Sequence, residues 1–380
     1  MTFPKLFLTS ACPAVTILML GGAAVMLAQT APAPLFKTGQ TKCWDGRGQR
    51  INCHGTGQDG DFQAGVAWPV PRFQDNRDGT VADRLTNLIW LRRADCFERH
   101  TWAETLVEAK LLANGKCGLT DTSRPGDWRM PNIIELRSIV DFGTVRPALP
   151  EGHPFVNFEP AVYWSSSSTP AFPSLGWFTT MGVGPHVFDL KVNKFRMLPI
   201  RGGLGRDARL PRTGSTKCYD TQGGEIPCLG TGQDAEYQTG VAWPTPRFTE
   251  IGDGTVRDNL TGLMWLKNAH CFGFQSWSNG LRSVNGLEDG KCGLRDRSHP
   301  GDWRLPNIRE LQSIMDNSAV APAIPAGHPF VNLQPTLYWT STSGQNFPLL
   351  AFFSLMSAGS TVFEHKNAEL GTWAVKGGGR

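Results

Sequence analysis

The 380 residues are too many for one ordinary domain and comfortable for two. Charged residues make up only 18%, while glycine (43) and proline (27) are abundant, which argues against a helical bundle and for a turn-rich fold of many short strands. The formal net charge of +4 is small for this length and singles out no strongly charged partner.

Lys5 is the only charge before residue 37, and an apolar run over residues 14–28 follows Pro13 and leads into proline-rich sequence. The run is short for a spanning helix, so residues 1–28 read as a secretory signal peptide cleaved near Ala28, with no membrane span left after its removal. Cys12 precedes most of the run, which speaks against a lipid anchor. The expected location is the periplasm, the outer surface or the medium, and nucleic acid is not an expected partner. Eight further cysteines form two sets at one constant offset of 175 residues (218 − 43, 292 − 117). Even numbers per set in an exported chain point to disulfides, and no CxxC spacing supports zinc. Four cysteines per set allow three connectivities; the local one brackets short loops and pairs Cys43 with Cys53, Cys96 with Cys117, Cys218 with Cys228, and Cys271 with Cys292.

Tryptophans keep the same offset without a gap: Trp68/Trp243, Trp90/Trp265, Trp102/Trp277, Trp128/Trp303 and Trp164/Trp339. Two long units are a tandem duplication and not a solenoid. Copy one spans residues 37–203, a short polar linker 204–211, and copy two residues 212–380.

Each copy opens on a hairpin closed by its first disulfide, with Asp45-Gly46 in the turn of copy one. Gly55-Thr-Gly-Gln-Asp59 lacks a following Gly-Lys-Ser/Thr and reads as a tight surface turn, not a phosphate cradle. Asp78-Gly79 lies between β-type flanks and signals another hairpin. Its acidic loop fails the EF-hand pattern, so no metal site is expected. Leu88–Leu91 and Leu263–Leu266 are short buried strands. Thr101 with Glu104 is a capping box that starts an amphipathic helix with Trp102, Leu106, Ala109 and Ala113 on one face, ending at Asn114-Gly115. The helix of copy two is poorer, because Gly280 and Gly286 lie inside it; Ser276 is its expected cap.

The segment Gly126-Asp127-Trp128-Arg129-Met130-Pro131-Asn132-Ile133-Ile134-Glu135-Leu136 returns from Gly301 to Leu311. Trp128 and Met130 alternate with polar neighbours as in a strand, and Pro131 stops it. Asn132 with Glu135 caps a second helix whose buried face carries Leu136, Ile139 and Val140. His153 and His328 follow, each beside Pro and Phe and far in sequence from other ligand-type residues, so they read as packed loop histidines. Residues 163–169 and 338–343 read as strands that run into hydroxyl-rich loops, and without a Gly-x-Ser-x-Gly elbow no serine nucleophile is expected. Apolar segments around Trp177, Val187 and Met197 suggest a closing β-meander.

The ordered set Asp-Gly-Thr-Val, Leu-x-Trp-Leu, Cys-Gly-Leu, Gly-Asp-Trp-Arg-Leu-Pro-Asn-x-x-Glu-Leu, Gly-His-Pro-Phe and Tyr-Trp-Ser-Ser resembles the Lcl C-terminal domain family, also called domain of unknown function 1566. The resemblance covers nearly all of both copies. It implies bacterial surface adhesion and binding of sulfated glycosaminoglycans. The Trp-Arg-Leu-Pro-Asn-x-x-Glu-Leu block also resembles formylglycine-generating enzymes, whose fold is C-type-lectin-like. The expected architecture is therefore α+β: two tandem C-type-lectin-like domains, each with two helices packed on small twisted antiparallel sheets. A fold of this kind carries no activity by itself.

Three functions compete. One is a non-enzymatic binding protein for an acidic polysaccharide or a host or cell-surface glycan. Another is an envelope structural or assembly protein with no small ligand. The third, a formylglycine-type enzyme, needs reactive cysteines late in the domain, and none follows Cys117 or Cys292. No catalytic residue, metal or cofactor is expected. Copy one has 20 lysines and arginines against 17 acids, and copy two has 14 against 15. Arg92, Arg93 and Arg99 cluster around Cys96 and become Lys267, Asn268 and Phe274 in copy two. Guanidinium groups suit sulfate, so these three are the candidate ligand-binding residues, provided they point away from Asp95 and Glu98.

Overall fold

The computed structural model describes residues 31–378; the expected signal peptide and Cys12 lie outside the described residues. The helices are short: α1 (Asp59–Phe62), α2 (Trp102–Leu111) and α3 (Ile133–Ser138) in copy one, then α4 (Asp234–Tyr237), α5 (Trp277–Asn285) and α6 (Ile308–Ser313) in copy two. Each copy thus has a third, four-residue helix beyond the two expected, where residues 55–59 were expected to form a surface turn. Gly55 and Gly57 do turn at positive φ, but Gln58 and Asp59 behind them are buried.

The capping residues act as their chemistry dictates. Thr101 and Glu104 close a reciprocal box on α2, and Asn132 and Glu135 close one on α3, with 2.9 Å from the Glu135 amide to the Asn132 carbonyl oxygen of the side chain. Ser276 precedes α5 in an extended conformation, but its hydroxyl makes no cap hydrogen bond. Gly280 within α5 lies under Thr372, whose Oγ1 would stand 3.1 Å from a Cβ placed there. Helix α2 stops at Leu111, so Leu112, and not Ala113, completes its buried stripe.

In each copy a four-stranded antiparallel sheet holds the Asp-Gly hairpin. In copy one Phe73–Asp75, Thr80–Asp83, Leu88–Leu91 and Ile200–Arg201 pair in that order. Gly79 turns it at φ 87°, with its α-carbon against the Gly118 carbonyl, where a Cβ would stand 2.4 Å from oxygen. Residues 165–168 are not a loop. They belong to the strand Val162–Ser168, and their hydroxyl side chains are buried. That strand continues through Leu175–Thr180 and His186–Leu190, and the last joins Thr361–His365 of copy two through the pair Thr361↔His186. One eight-stranded sheet therefore crosses both copies. His186 and Thr361 are themselves 175 residues apart, so a pseudo-twofold axis passes between them.

The amino-terminal segments of the copies are exchanged across this axis. Gln40 bonds the backbone of Ser343 through both ends of its amide, at 2.7 and 2.9 Å, and Thr342 donates to Asp59 at 2.7 Å. In the other direction Ser167 donates to Asp234 at 2.6 Å, and Thr239 donates to Glu135 at 3.0 Å. Lys191 reaches the carbonyls of Tyr219 and Asp220, and Lys366 those of Trp44 and Asp45. Each disulfide-closed hairpin is thereby seated on the opposite copy.

Trp128 is fully buried, and so is its counterpart Trp303. The expected strand around Trp128 is reduced to a single bridge, Arg129↔Ile200, and Arg129 does not face solvent. Its guanidinium is buried against Glu135, at 2.7 and 2.6 Å. This reverses the alternation read from sequence: a charged residue is inside because its partner sits six residues on.

Two outcomes are expected. Trp128→Ala should lower stability by about 3–5 kcal/mol in denaturant titration, because the ring leaves a cavity that packed neighbours cannot close. Asp59 and Asp234 are the second case. Burial raises each carboxyl to about 6, only partly opposed by hydrogen bonds from Thr342 and Thr38, or from Ser167 and Thr213. Between about pH 4 and pH 6 the folded chain holds protons that the unfolded chain has released, so stability falls as pH rises through that window, by on the order of 2 kcal/mol per carboxyl. Asp59→Asn with Asp234→Asn should flatten that part of a plot of stability against pH.

Candidate binding site

The strand Leu88–Leu91 leaves its sheet at Arg92, and the chain returns as His100–Thr101, whose threonine caps α2. The intervening loop is tied down by the disulfide between Cys96 and Cys117, with Cα atoms 5.5 Å apart. His100–Thr101 pairs with Lys194–Phe195, which brings a distant part of copy one to the same edge. All four expected disulfides are present: Cys43 to Cys53, Cys96 to Cys117, Cys218 to Cys228, and Cys271 to Cys292.

The three candidate arginines do not form one bare basic face. Arg92 and Arg93 follow one another where the chain bends out of its strand, and they engage different acids. Arg92 lies 3.2 Å from Asp75 and donates to the Pro154 carbonyl at 3.3 Å, with 39% of its side chain exposed. Arg93 donates to Asp95 at 3.1 Å, with 56% exposed. Asp95 is thus one of the partners that had to be avoided. Slight desolvation would raise its carboxyl, but hydrogen bonds from Asn157 and Arg93 hold it below the usual range. Arg99 is exposed, and among the described residues it has no ion pair within 4 Å.

Two further cations at this edge were not singled out from sequence. Arg196 donates to Glu159 at 3.1 Å through Nε and to the Phe97 carbonyl at 3.0 Å, which fixes the loop from beneath. Lys194 is exposed and, like Arg99, has no ion pair among the described residues. Neither could be placed beside Cys96 by spacing, because strand pairing over some ninety residues makes the contact. The corresponding positions of copy two are Asn268, Phe274, Glu369 and Gly371 for Arg93, Arg99, Lys194 and Arg196. The two copies therefore carry different charge on equivalent edges.

The histidines are packing groups. His153 lies 5.7 Å from the Phe155 ring and His328 5.6 Å from Phe330 by centroids, and partial burial lowers the pKa of both. Among the described residues no group of three His, Cys, Asp or Glu is arranged to hold a metal ion, and no helix is long and apolar enough to cross a membrane.

A fold of duplicated α+β units with small sheets, few helices and two local disulfides per unit defines the class. The chain belongs to the Lcl C-terminal domain family, whose model matches residues 79–201 and again 254–376. Both matches begin after the exchanged segments, at the Asp-Gly hairpin. Neither a curated protein nor a solved structure matches the chain.

The bridge between Cys96 and Cys117 closes a loop of about 20 residues, worth about 3 kcal/mol by chain entropy. Cys96→Ala with Cys117→Ala should lose roughly that stability, and trypsin should cut at Arg92, Arg93 or Arg99 sooner than in the native protein. Mapping of non-reduced peptides should recover the four pairs.

Proposed function

We propose that the chain is an exported, non-enzymatic binding protein that holds an acidic polysaccharide at the disulfide-braced edge of copy one. The four disulfides indicate an oxidising environment, consistent with the periplasm, the outer surface or the medium. The two units are of C-type-lectin-like kind in this reading, a likeness supported by short helices set against small antiparallel sheets. The observation that carries the assignment is the pair Arg99 and Lys194, exposed on a braced edge and without an ion pair within 4 Å among the described residues, although Glu104 is near enough to feel the charge of Lys194; the half-exposed Arg92 and Arg93 flank them. A guanidinium offers a planar fork to a sulfate or carboxylate, and a neighbouring ammonium adds a point charge. A loop already fixed by a disulfide and by Arg196 loses little freedom on binding. The paired Arg92 and Arg93 would exchange one acid for another, so they add less than Arg99 and Lys194, which no carboxylate holds within 4 Å among the described residues.

The test uses the full chain, because the copies are interlocked by their exchanged segments. The native protein should be retained on immobilised heparin at low salt and released as salt rises, since exposed charges are screened over about 10 Å at 0.1 M. Arg99→Ala with Lys194→Ala should elute at clearly lower salt, and Arg92→Ala with Arg93→Ala should shift it less. Passage of the native protein unretained, or elution of native and Arg99/Lys194 variant together, would overturn the proposal.

A further inference from the structure

The pseudo-twofold axis passes through a cavity of about 40 Å3 between α3 and α6. Its twelve lining residues fall into six pairs of equivalents, each 175 positions apart. The lining is symmetric in place but not in charge. Arg309 faces its counterpart Ile134, Arg137 its counterpart Gln312, and Arg209 its counterpart Pro34. Among the described residues three arginines line the cavity and no carboxylate does.

One of these cations is buried and a second is largely covered. Arg309 is only 8% exposed. Its Nη2 donates to the carbonyls of Ser138 and Val140, at 3.2 and 2.7 Å, while its buried Nε has no acceptor. Arg137 reaches only the Gln312 carbonyl, at 3.5 Å; a little of its surface still meets solvent, though protein surrounds it densely. Among the described residues neither makes an ion pair within 4 Å. The acids that Arg309 feels, Asp141 and Asp59, are engaged elsewhere: Asp141 accepts from Gly143 and Asp59 from Thr342. Arg72, also nearby, is paired with Asp83 and adds further positive charge. Desolvation lowers the pKa of both Arg309 and Arg137 to about 9, and for Arg309 the other arginines add to it. A buried charge without a counter-ion is costly, and a donor left without an acceptor adds to the cost.

We infer that the axial cavity is a binding site for one small tetrahedral oxyanion of the sulfate or phosphate class, held between Arg309 and Arg137. A cavity needs at least about 10–15 Å3 to hold one water, so about 40 Å3 suits a group of a few heavy atoms better than a sugar ring. Guanidinium forks match the paired oxygens of such an anion, where a halide offers a single centre. Arg209 stands at the exposed side of the cavity, where its charge draws the anion inward. The site is independent of the glycan-binding edge.

The duplication supplies the variants for the test. Arg309→Ile and Arg137→Gln each install the residue that the other copy already carries at the equivalent place. Calorimetric titration of the full chain with sodium sulfate, and separately with sodium phosphate, should give one site per chain with a dissociation constant of about 1 mM or tighter. Each variant should bind about tenfold more weakly or worse, as expected for loss of a charged hydrogen bond. Without added anion, Arg309→Ile should melt no lower than the native protein, because it removes an uncompensated charge. Sulfate also stabilises proteins by exclusion from their surface, so the reading is the rise in Tm of the native chain beyond that of the variants. Heparin retention of Arg309→Ile should match the native protein. No saturable binding by the native chain at 20 mM of either anion, or equal binding by native chain and both variants, would overturn the inference; the figure of 20 mM is about twenty times the weakest expected constant.

Discussion

The carboxylate of Glu135 is the constraint on which copy one depends. One oxygen accepts from Arg129 and from Thr239 of the opposite segment; the other accepts from Arg129 and from the amide of Asn132. Arg129 passes the connection on to the Gly202 carbonyl just past the closing strand Ile200–Arg201. A single buried ion pair therefore joins the tryptophan segment, the start of α3, the last strand and the exchanged segment. Removing either charge would leave the other buried and unpaired, which costs far more than the pair contributes. Copy two repeats the arrangement with Arg304 and Glu310, but Ala64 stands where copy one uses Thr239, so only a long contact to a backbone carbonyl remains.

Much of this was legible in the sequence, for a local reason. The disulfides close short loops, the capping boxes act over three residues, and the Asp-Gly turns act over two, so spacing points to the turns and caps and favours the local disulfide pairing among the three possible. The 175-residue offset identified the duplication through cysteine and tryptophan. The exchange of segments was not legible. Two copies built on one pattern offer Gln40 an equivalent partner within its own copy (Ser168) and across the axis (Ser343), and spacing is the same for both. Burial of Ser165 to Ser168 was missed because hydroxyl-rich sequence reads as loop unless the neighbouring strand is known. Arg129 was placed outside because its partner lies beyond the window of strand alternation.

The candidate binding edge was legible in half. Arg92, Arg93 and Arg99 stand where the cysteine spacing puts them, around Cys96. Which of them are neutralised depends on Asp75 and Asp95, and the companion cation Lys194 arrives by strand pairing. Charge counting cannot resolve these contacts, since it assigns equal weight to a paired and an unpaired arginine.

The exchange of segments also governs the order in which this chain can be completed as it is made. A ribosome that has released residue 203 has produced every strand of the first copy's sheet, yet Asp234 and Thr239, which seal it, do not exist. Gln40 waits still longer, since its partner Ser343 lies 303 residues ahead. The entropy of closing so long a loop grows only slowly with length, but contacts this distant slow the search for the native state. Until the last strands emerge, two hydrogen-bonding faces stand open, one on each side of a half-finished molecule, and each matches the other's segment in any second chain nearby. Fusion in one polypeptide keeps the correct partner at high local concentration, so the tether that links the copies also acts against their mispairing between molecules.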